Sequence, residues 1–289
     1  MSSSAAEKES AAQRPSGIVP SGEARALEGA RRGGERPSVN VADIDYLALN
    51  PRGEAHPMLA TVYETWRDGW RSVLRELAAT KELRSNDFTQ QDLIGVLLIR
   101  GACAAVTALR FCDLAQPMWL EDSYFDRWPK DALARLGRSR VCISSNTLIS
   151  PEWRGARVTP SPISSIGRAS SIEALAYRSR ETSDSTATSP STSTDLALKS
   201  VVFGLVVQQF ASSPAEFMVG VSRNDRSMDR LARDHGAQRI GAFDVHGIES
   251  DICLFEKARI PEPPPIVEEL WSRRSAEGWF PALTAGCAG

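Results

Sequence analysis

Between Leu59 and Leu77 apolar residues return every three or four positions, at Leu59, Val62, Trp66, Trp70, Val73, Leu74 and Leu77. That period predicts an amphipathic helix, opened by His56-Pro57. Two apolar runs follow, Asp92 to Arg100 and Ala104 to Phe111, and the Gly101-Ala102 link between them is short enough for a β-hairpin. Asp131 to Leu136 reads as a short helix. Val141 to Ile149 alternates as a strand does and stops at Pro151. Ser161 and Pro162 open a predicted helix over Ile163 to Tyr177. Leu196 to Phe210 is apolar on all sides, the signature of a buried helix. Glu216 to Val221 is a strand, Asn224 or Asp225 caps the helix after it, and Gly236 closes that helix. Two further strands, Arg239 to Asp244 and Ser250 to Glu256, flank a turn at His246-Gly247. The stiff run Pro261-Glu-Pro-Pro-Pro265 then leads into a short amphipathic helix around Ile266 to Trp271.

Strands and helices therefore interleave, with one hairpin early and one late. The class is α/β or α+β, a mixed central sheet flanked by helices. Residues 1–40 are rich in Ser, Ala, Gly, Pro and Arg without an apolar period, and are expected to form a disordered tail. The folded domain spans 41–260, interrupted by a Ser/Thr-rich loop at 181–195. Residues 261–289 form a Pro-rich C-terminal appendage with one short helix.

Composition removes several classes. Among 289 residues, 34 basic against 36 acidic side chains leave no nucleic-acid footprint. No apolar run approaches the ~20 residues that cross a bilayer. The cysteines, Cys103, Cys112, Cys142, Cys253 and Cys287, are odd in number and form no CxxC, so buried free thiols in a reducing compartment are expected. The opening residues lack the basic-then-apolar order of a signal peptide, and the cytoplasm is the expected location.

Some residues carry candidate chemistry by type and place. Arg154 and Arg157 flank Gly155 just after a strand, where two guanidinium forks suit a phosphate or a pantetheine arm. His246, with Glu249 to orient it, is a candidate base for an amine proton. The run Glu249-x-Asp251-x-Cys253 shares one strand face, but no second His is near, so no metal is expected. Asp122 and Tyr124, set among Trp119, Phe125 and Trp128, fit recognition of an amine.

Three stretches resemble a known superfamily. The run from Ile94 to Leu109 is similar to the opening hairpin of the GNAT acyltransferases, followed by the aromatic, acidic Asp122-Ser-Tyr-Phe-Asp-Arg-Trp-Pro129. Ser144-Ser-Asn-Thr-Leu-Ile-Ser-Pro-Glu-Trp-Arg-Gly155 looks like the central strand that precedes the phosphate loop. Phe217-Met-Val-Gly-Val-Ser-Arg-Asn224, with the helix ending at His235-Gly236, looks like the next strand and its helix. The resemblance is to the GNAT-like N-acyltransferases, more particularly the autoinducer synthases and N-acyl amino acid synthases. It implies transfer of an acyl group from a thioester donor, acyl-CoA or the phosphopantetheine of an acyl carrier protein, to a small amine acceptor. It implies that Arg154, Gly155 and Arg157 hold the donor, and that Ser144 stands near the central-strand position that contacts substrate. The run Arg154-Gly-Ala-Arg-Val-Thr-Pro160 departs from the family loop in lacking its second and third glycines. A non-catalytic GNAT-like binding module is the alternative, recognisable by a cleft filled with side chains such as Trp153.

Overall fold

A computed structural model of the chain describes residues 36–53, 56–77, 83–161, 195–245 and 247–274. The predicted helix Ile163–Tyr177 lies outside the described residues, as do His246 and the Ser/Thr-rich loop through residue 194. Every element below belongs to the unit that begins at Pro37. In chain order these are β1 (Ser38–Asn40), β2 (Ile44–Leu49), α1 (Leu59–Glu76), α2 (Asn86–Thr89), β3 (Leu93–Ile99), β4 (Ala102–Asp113), α3 (Lys130–Leu136) and β5 (Arg140–Ile149). They continue with β6 (Arg157–Thr159), β7 (Leu196–Ala197), α4 (Leu198–Ala211), β8 (Phe217–Arg223), α5 (Met228–Asp234), β9 (Gln238–Val245), β10 (Ile248–Glu256) and α6 (Pro265–Ser272).

Seven strands make one sheet in the order β2-β3-β4-β5-β8-β10-β9. All its pairings are antiparallel except β5 with β8. Every residue of β3 is buried, because helices cover both faces of the sheet there. On one face Ile94, Val96 and Leu98 pack with Val62 and Trp66 of α1 and Phe88 of α2. On the other, Leu97 and Ile99 meet Val201, Val202 and Leu205 of α4 and Ile266, Val267 and Leu270 of α6. The mixed sheet flanked by helices is the architecture expected of a GNAT-like fold.

Several elements differ from the sequence expectation for identifiable reasons. The hairpin turn is Arg100-Gly101, one residue earlier than expected. Both residues have positive φ (51° and 77°), as a two-residue hairpin loop of matching twist requires. Arg100 is held by Asp43 at 3.0 Å. Ile44–Leu49 is a strand that the pattern did not separate from the polar region before it. Ser38–Asn40, read as the end of a tail, pairs in parallel with β6 and buries Val39. Neither Asn224 nor Asp225 caps α5. Ser227 is its N-cap in the left-handed region, while Asn224 donates to Asp251 Oδ1 (3.2 Å) and Asp225 takes a two-pronged bond from Arg223. Helix α6, expected in an appendage, is core. Gly204 of α4 lets it approach so closely that a Cβ there would stand 2.8 Å from Val267 Cγ2.

Gly69 serves the same purpose for α1. A Cβ at this position would collide with the buried Leu148 side chain of β5, with Cδ1 at 2.9 Å and Cγ at 3.0 Å. The helix thus lies directly on the strand, and the next residue, Trp70, is carried over the middle of the sheet.

Two outcomes are expected. In an open helix, Gly→Ala stabilises by roughly 1 kcal/mol; here Gly69→Ala should instead destabilise by about 1–3 kcal/mol through overpacking, read from urea unfolding. Cys103, Cys112, Cys142 and Cys253 are all buried. Burial pushes the Cys103 thiol up to about 11 and Cys112 up to about 12, and raises Cys142 and Cys253 as well. Their reactive thiolate is therefore scarce at pH 8. Peptide-resolved mass spectrometry should find these four unalkylated in the native chain and alkylated in denaturant.

Candidate functional site

The strands β5 and β8 are joined over four residue pairs only, from Val141–Phe217 to Ser144–Gly220. Beyond Ser144 the edge of β5 that faced β8 has no strand partner among the described residues. On its other edge β5 is bulged: Ala108 pairs with Ser145 and Val106 with Leu148, so two residues of β5 oppose one of β4. The bulge carries Asn146 at φ 55°, a left-handed conformation that Asn tolerates better than most side chains. Strand divergence and bulge together open the sheet at Ser144, Ser145 and Asn146.

A cavity opens on each side of this gap. The larger, of about 450 Å³, lies beneath α1 and is lined by Trp70, Gln91, Arg110, Asp122, Tyr124 and Arg223 together with Ser144 to Asn146. The smaller, of about 150 Å³, lies on the α4–α5 side, where Phe203, Met218, Met228, Cys253 and Phe255 meet the same stretch of β5.

The polar groups of the larger cleft are organised by one ion pair. Arg110 Nη2 stands 2.8 Å from Asp122 Oδ1, with both side chains less than a fifth exposed. The same carboxylate oxygen accepts the Tyr124 N–H at 2.9 Å and so shapes the loop that walls the cleft. Within this wall the Tyr124 hydroxyl, Trp70 Nε1 and Gln91 Oε1 are buried without a hydrogen-bond partner among the described residues. An unmet buried polar group of this kind costs roughly 1–3 kcal/mol. Burial raises the Tyr124 phenol well above the usual range, against a smaller opposing pull from Arg110.

Of the residues singled out from sequence, Asp122, Tyr124 and Ser144 come together in the cleft. Glu249, Arg154, Gly155 and Arg157 do not line that cleft. Glu249 is exposed and pairs with Arg239 at 3.5 Å. Strand alternation turns it to the face opposite Ser250, which does line the cleft. It is therefore not placed to orient a base there. His246 lies outside the described residues.

Arg154, Gly155 and Arg157 form no phosphate cradle of the expected kind. In place of a glycine loop, the chain turns through Pro151–Trp153 and enters the small sheet β1-β6-β7. The amides of Trp153, Arg154, Ala156, Arg157 and Leu198 already donate to Ser150, Pro151, Trp153, Pro37 and Ala156 carbonyls. Arg157 is further held by the Asp195 carbonyl at 2.9 Å, and Arg154 by that of Ile149 at 3.3 Å. Gly155 keeps its positive φ of 84° as a turn residue. A phosphate at this place would meet side chains rather than a nest of amides.

Sequence reasoning missed Arg110, Gln91, Trp70 and Asn146. Arg110 left a trace, a lone charge inside an otherwise apolar strand. Gln91 and Asn146 left none, because their role comes from a turn end and a bulge that only strand pairing creates.

No protein-family model and no curated protein matches the chain. Among solved structures it is similar to MesI, a CoA-dependent acyl-homoserine lactone synthase, at 10% identity and TM-score 0.45, over 80% of this chain and 97% of that one. It is also similar to FeeM, an N-acyl amino acid synthase from uncultured soil microbes (10% identity, TM-score 0.42, 80% and 96%). A third is an N-acetyltransferase from Staphylococcus aureus Mu50 (5% identity, TM-score 0.41, 74% and 98%). Identity this low and superposition this loose leave the chemistry of the cleft to its own residues.

Two measurements test the cleft wall. Asp122→Ala would strand the partly buried Arg110 and should destabilise the chain by about 1–3 kcal/mol in chemical denaturation. Burial also holds the Tyr124 and Tyr46 phenols neutral in the fold, their ionisation raised above the unfolded value near 10. That contribution is whole below pH ~10 and is lost as pH rises beyond it. In an absorbance titration these two phenols should ionise only together with alkaline unfolding, and Tyr124→Phe should move that unfolding to higher pH.

Proposed function

We propose that the chain is an acyltransferase that moves an acyl group from a thioester donor, acyl-CoA or acyl carrier protein, to a small amine acceptor. The observation that carries this reading is the divergence of β5 and β8 beyond Ser144–Gly220, with the Asn146 bulge alongside. An unpaired strand edge inside a cleft offers amide donors in fixed positions, which is what a thioester and its developing oxyanion require.

In this reading the thioester lies along the free edge of β5 and the amine occupies the larger cleft, against Asp122, Tyr124, Ser144 and Gln91. The amine nitrogen attacks the thioester carbonyl, and the oxyanion leans on a main-chain N–H of β5. The C–S bond then breaks, the new C–N bond remains, and the thiol leaves with a proton. Most of the acceleration comes from holding the two reactants together. His246 is proposed as the base that takes the amine proton. Arg154 and Arg157 are proposed to reach the donor's phosphate through their side chains.

A non-catalytic module would fill the cleft. Trp153 instead packs in the core beside Val158 and Leu198, and the cleft of about 450 Å³ is open, which supports an enzyme.

The test is release of free thiol from acyl-CoA and from acyl carrier protein in the presence of an amino-compound mixture, with products identified by mass spectrometry. Transfer from at least one donor is expected, and none from any donor would refute the reading. His246→Ala should lower kcat by about 10²–10⁴. Asn146→Gly, which keeps the left-handed bulge, should stay within about threefold of the natural chain. Asn146→Val, which resists that conformation, should lose at least about tenfold.

A further inference from the structure

The two cavities are joined. Among the described residues Trp70, Ser144, Ser145, Asn146, Val221 and Arg223 border both, so the cavities meet through the gap between β5 and β8. Arg223 is the charged member of this set. It is the last residue of β8, beyond the point at Gly220 where pairing with β5 ends. Alternation along β8 sets it on the same face as Val221.

What holds this side chain also orients it. Arg223 donates from Nε (3.0 Å) and Nη2 (2.7 Å) to the two carboxylate oxygens of Asp225. This side-on grip engages one edge of the planar guanidinium and leaves the Nη1 end outside the pair. The side chain is 23% exposed. Its hydrogen bonds hold the Asp225 carboxyl below the usual carboxylate range. Arg226 adds a second cation to the same carboxylate at 3.7 Å and pairs with Glu76 of α1 at 3.0 Å. Within this row of charges Arg223 is the one that borders both cavities. Of the other charges on the larger cleft, Arg110 is engaged by Asp122, while Asp87 and Arg127 do not border the smaller cavity.

We propose that Arg223 is a catalytic residue that receives the leaving thiolate of the donor. The inference rests on the thioester-donor reading above. In that reading the amine attacks from the larger cleft and the thioester lies at the strand edge, so the sulfur departs at the gap. As the C–S bond breaks, the sulfur takes the electron pair, and its new negative charge rests against the Nη1 end of the guanidinium. The amine proton goes to the base, and the thiolate afterwards takes a proton from water. A guanidinium stays protonated throughout, so it acts as a fixed cation and not as an acid. An alkyl thiol such as that of cysteine ionises at about pH 8.5. That is close enough to neutrality for a preorganised charge to do the work of a proton donor.

The experiment titrates pantetheine, a thiol without phosphate, bound to the full chain, following thiolate absorbance in the ultraviolet. The bound thiol should ionise about one pH unit or more below free pantetheine, a tenfold gain in acidity. In Arg223→Met it should ionise as free pantetheine does, and in Arg223→Lys, which keeps the charge, part of the shift should remain. Asp225 keeps Arg226 as a partner in both variants, and the lysine variant serves should the methionine variant fail to fold. Turnover gives a second readout. With the amino-compound mixture, Arg223→Met should lower kcat by about 10²-fold for alkyl thioesters. For a nitrothiophenyl thioester, whose thiolate leaves unaided, the loss should stay below about threefold. An unshifted thiol in the natural chain, or an equal loss with both classes of donor, would overturn the assignment while leaving acyl transfer standing. A natural chain that neither binds pantetheine nor cleaves either thioester would instead bring down the thioester-donor reading beneath it.

Discussion

Everything about the cleft depends on how briefly β5 and β8 stay together. They are the one parallel pair in a sheet otherwise antiparallel, and their register ends after four residue pairs. A longer pairing would close the sheet and leave nothing but core. Gly220, opposite Ser144, marks the limit, since a Cβ there would stand 3.3 Å from the Ser144 carbonyl oxygen. On the far side β5 is tied to β4 through a bulge, so the strand bends away from β8 instead of following it. The gap is built into the backbone, and the side chains around it decide what enters.

Those side chains are unlike on the two faces. Under α1 the Arg110–Asp122 pair and three buried polar atoms stand among apolar side chains such as Leu74, Leu77, Phe243 and Val245. On the α4–α5 side it is aromatic and thioether. A reaction that joins a polar acceptor to an apolar acyl group would use both, with the reacting carbonyl between them at the strand edge. The helices hold this asymmetry in place through close approaches, Gly69 against Leu148 on one face and Gly204 against Val267 on the other. Each glycine brings a helix nearer than any side chain would allow, and each fixes one wall.

The region after β5 shows how a local substitution of structure alters what a resemblance can be asked to carry. A glycine loop would present free amides to phosphate. Here a turn, a short sheet and a proline leave most of the nearby amides engaged within the chain. The arginines remain, as side chains on an exposed strand and turn.

The long periodic segments were legible in the residues alone. Leu59–Leu77, Leu196–Phe210 and the two hairpins announce themselves because burial on one face, or on all faces, demands a repeating pattern. The pairing of Asp122 and Tyr124 in a loop of aromatics was legible too, since charges among large rings need a reason. Short or non-local features were not. Ser38–Asn40 is too brief for a period, and its partner lies more than a hundred residues away. Glu249 looked like a partner for His246 by spacing, yet alternation along β10 turns it away from the cleft that Ser250 lines. Sequence by itself determined the elements and the class of fold, because these follow from local periodicity. Only tertiary structure decided where the sheet opens and which side chains face that opening, because strand register and bulges depend on contacts between residues far apart in the chain.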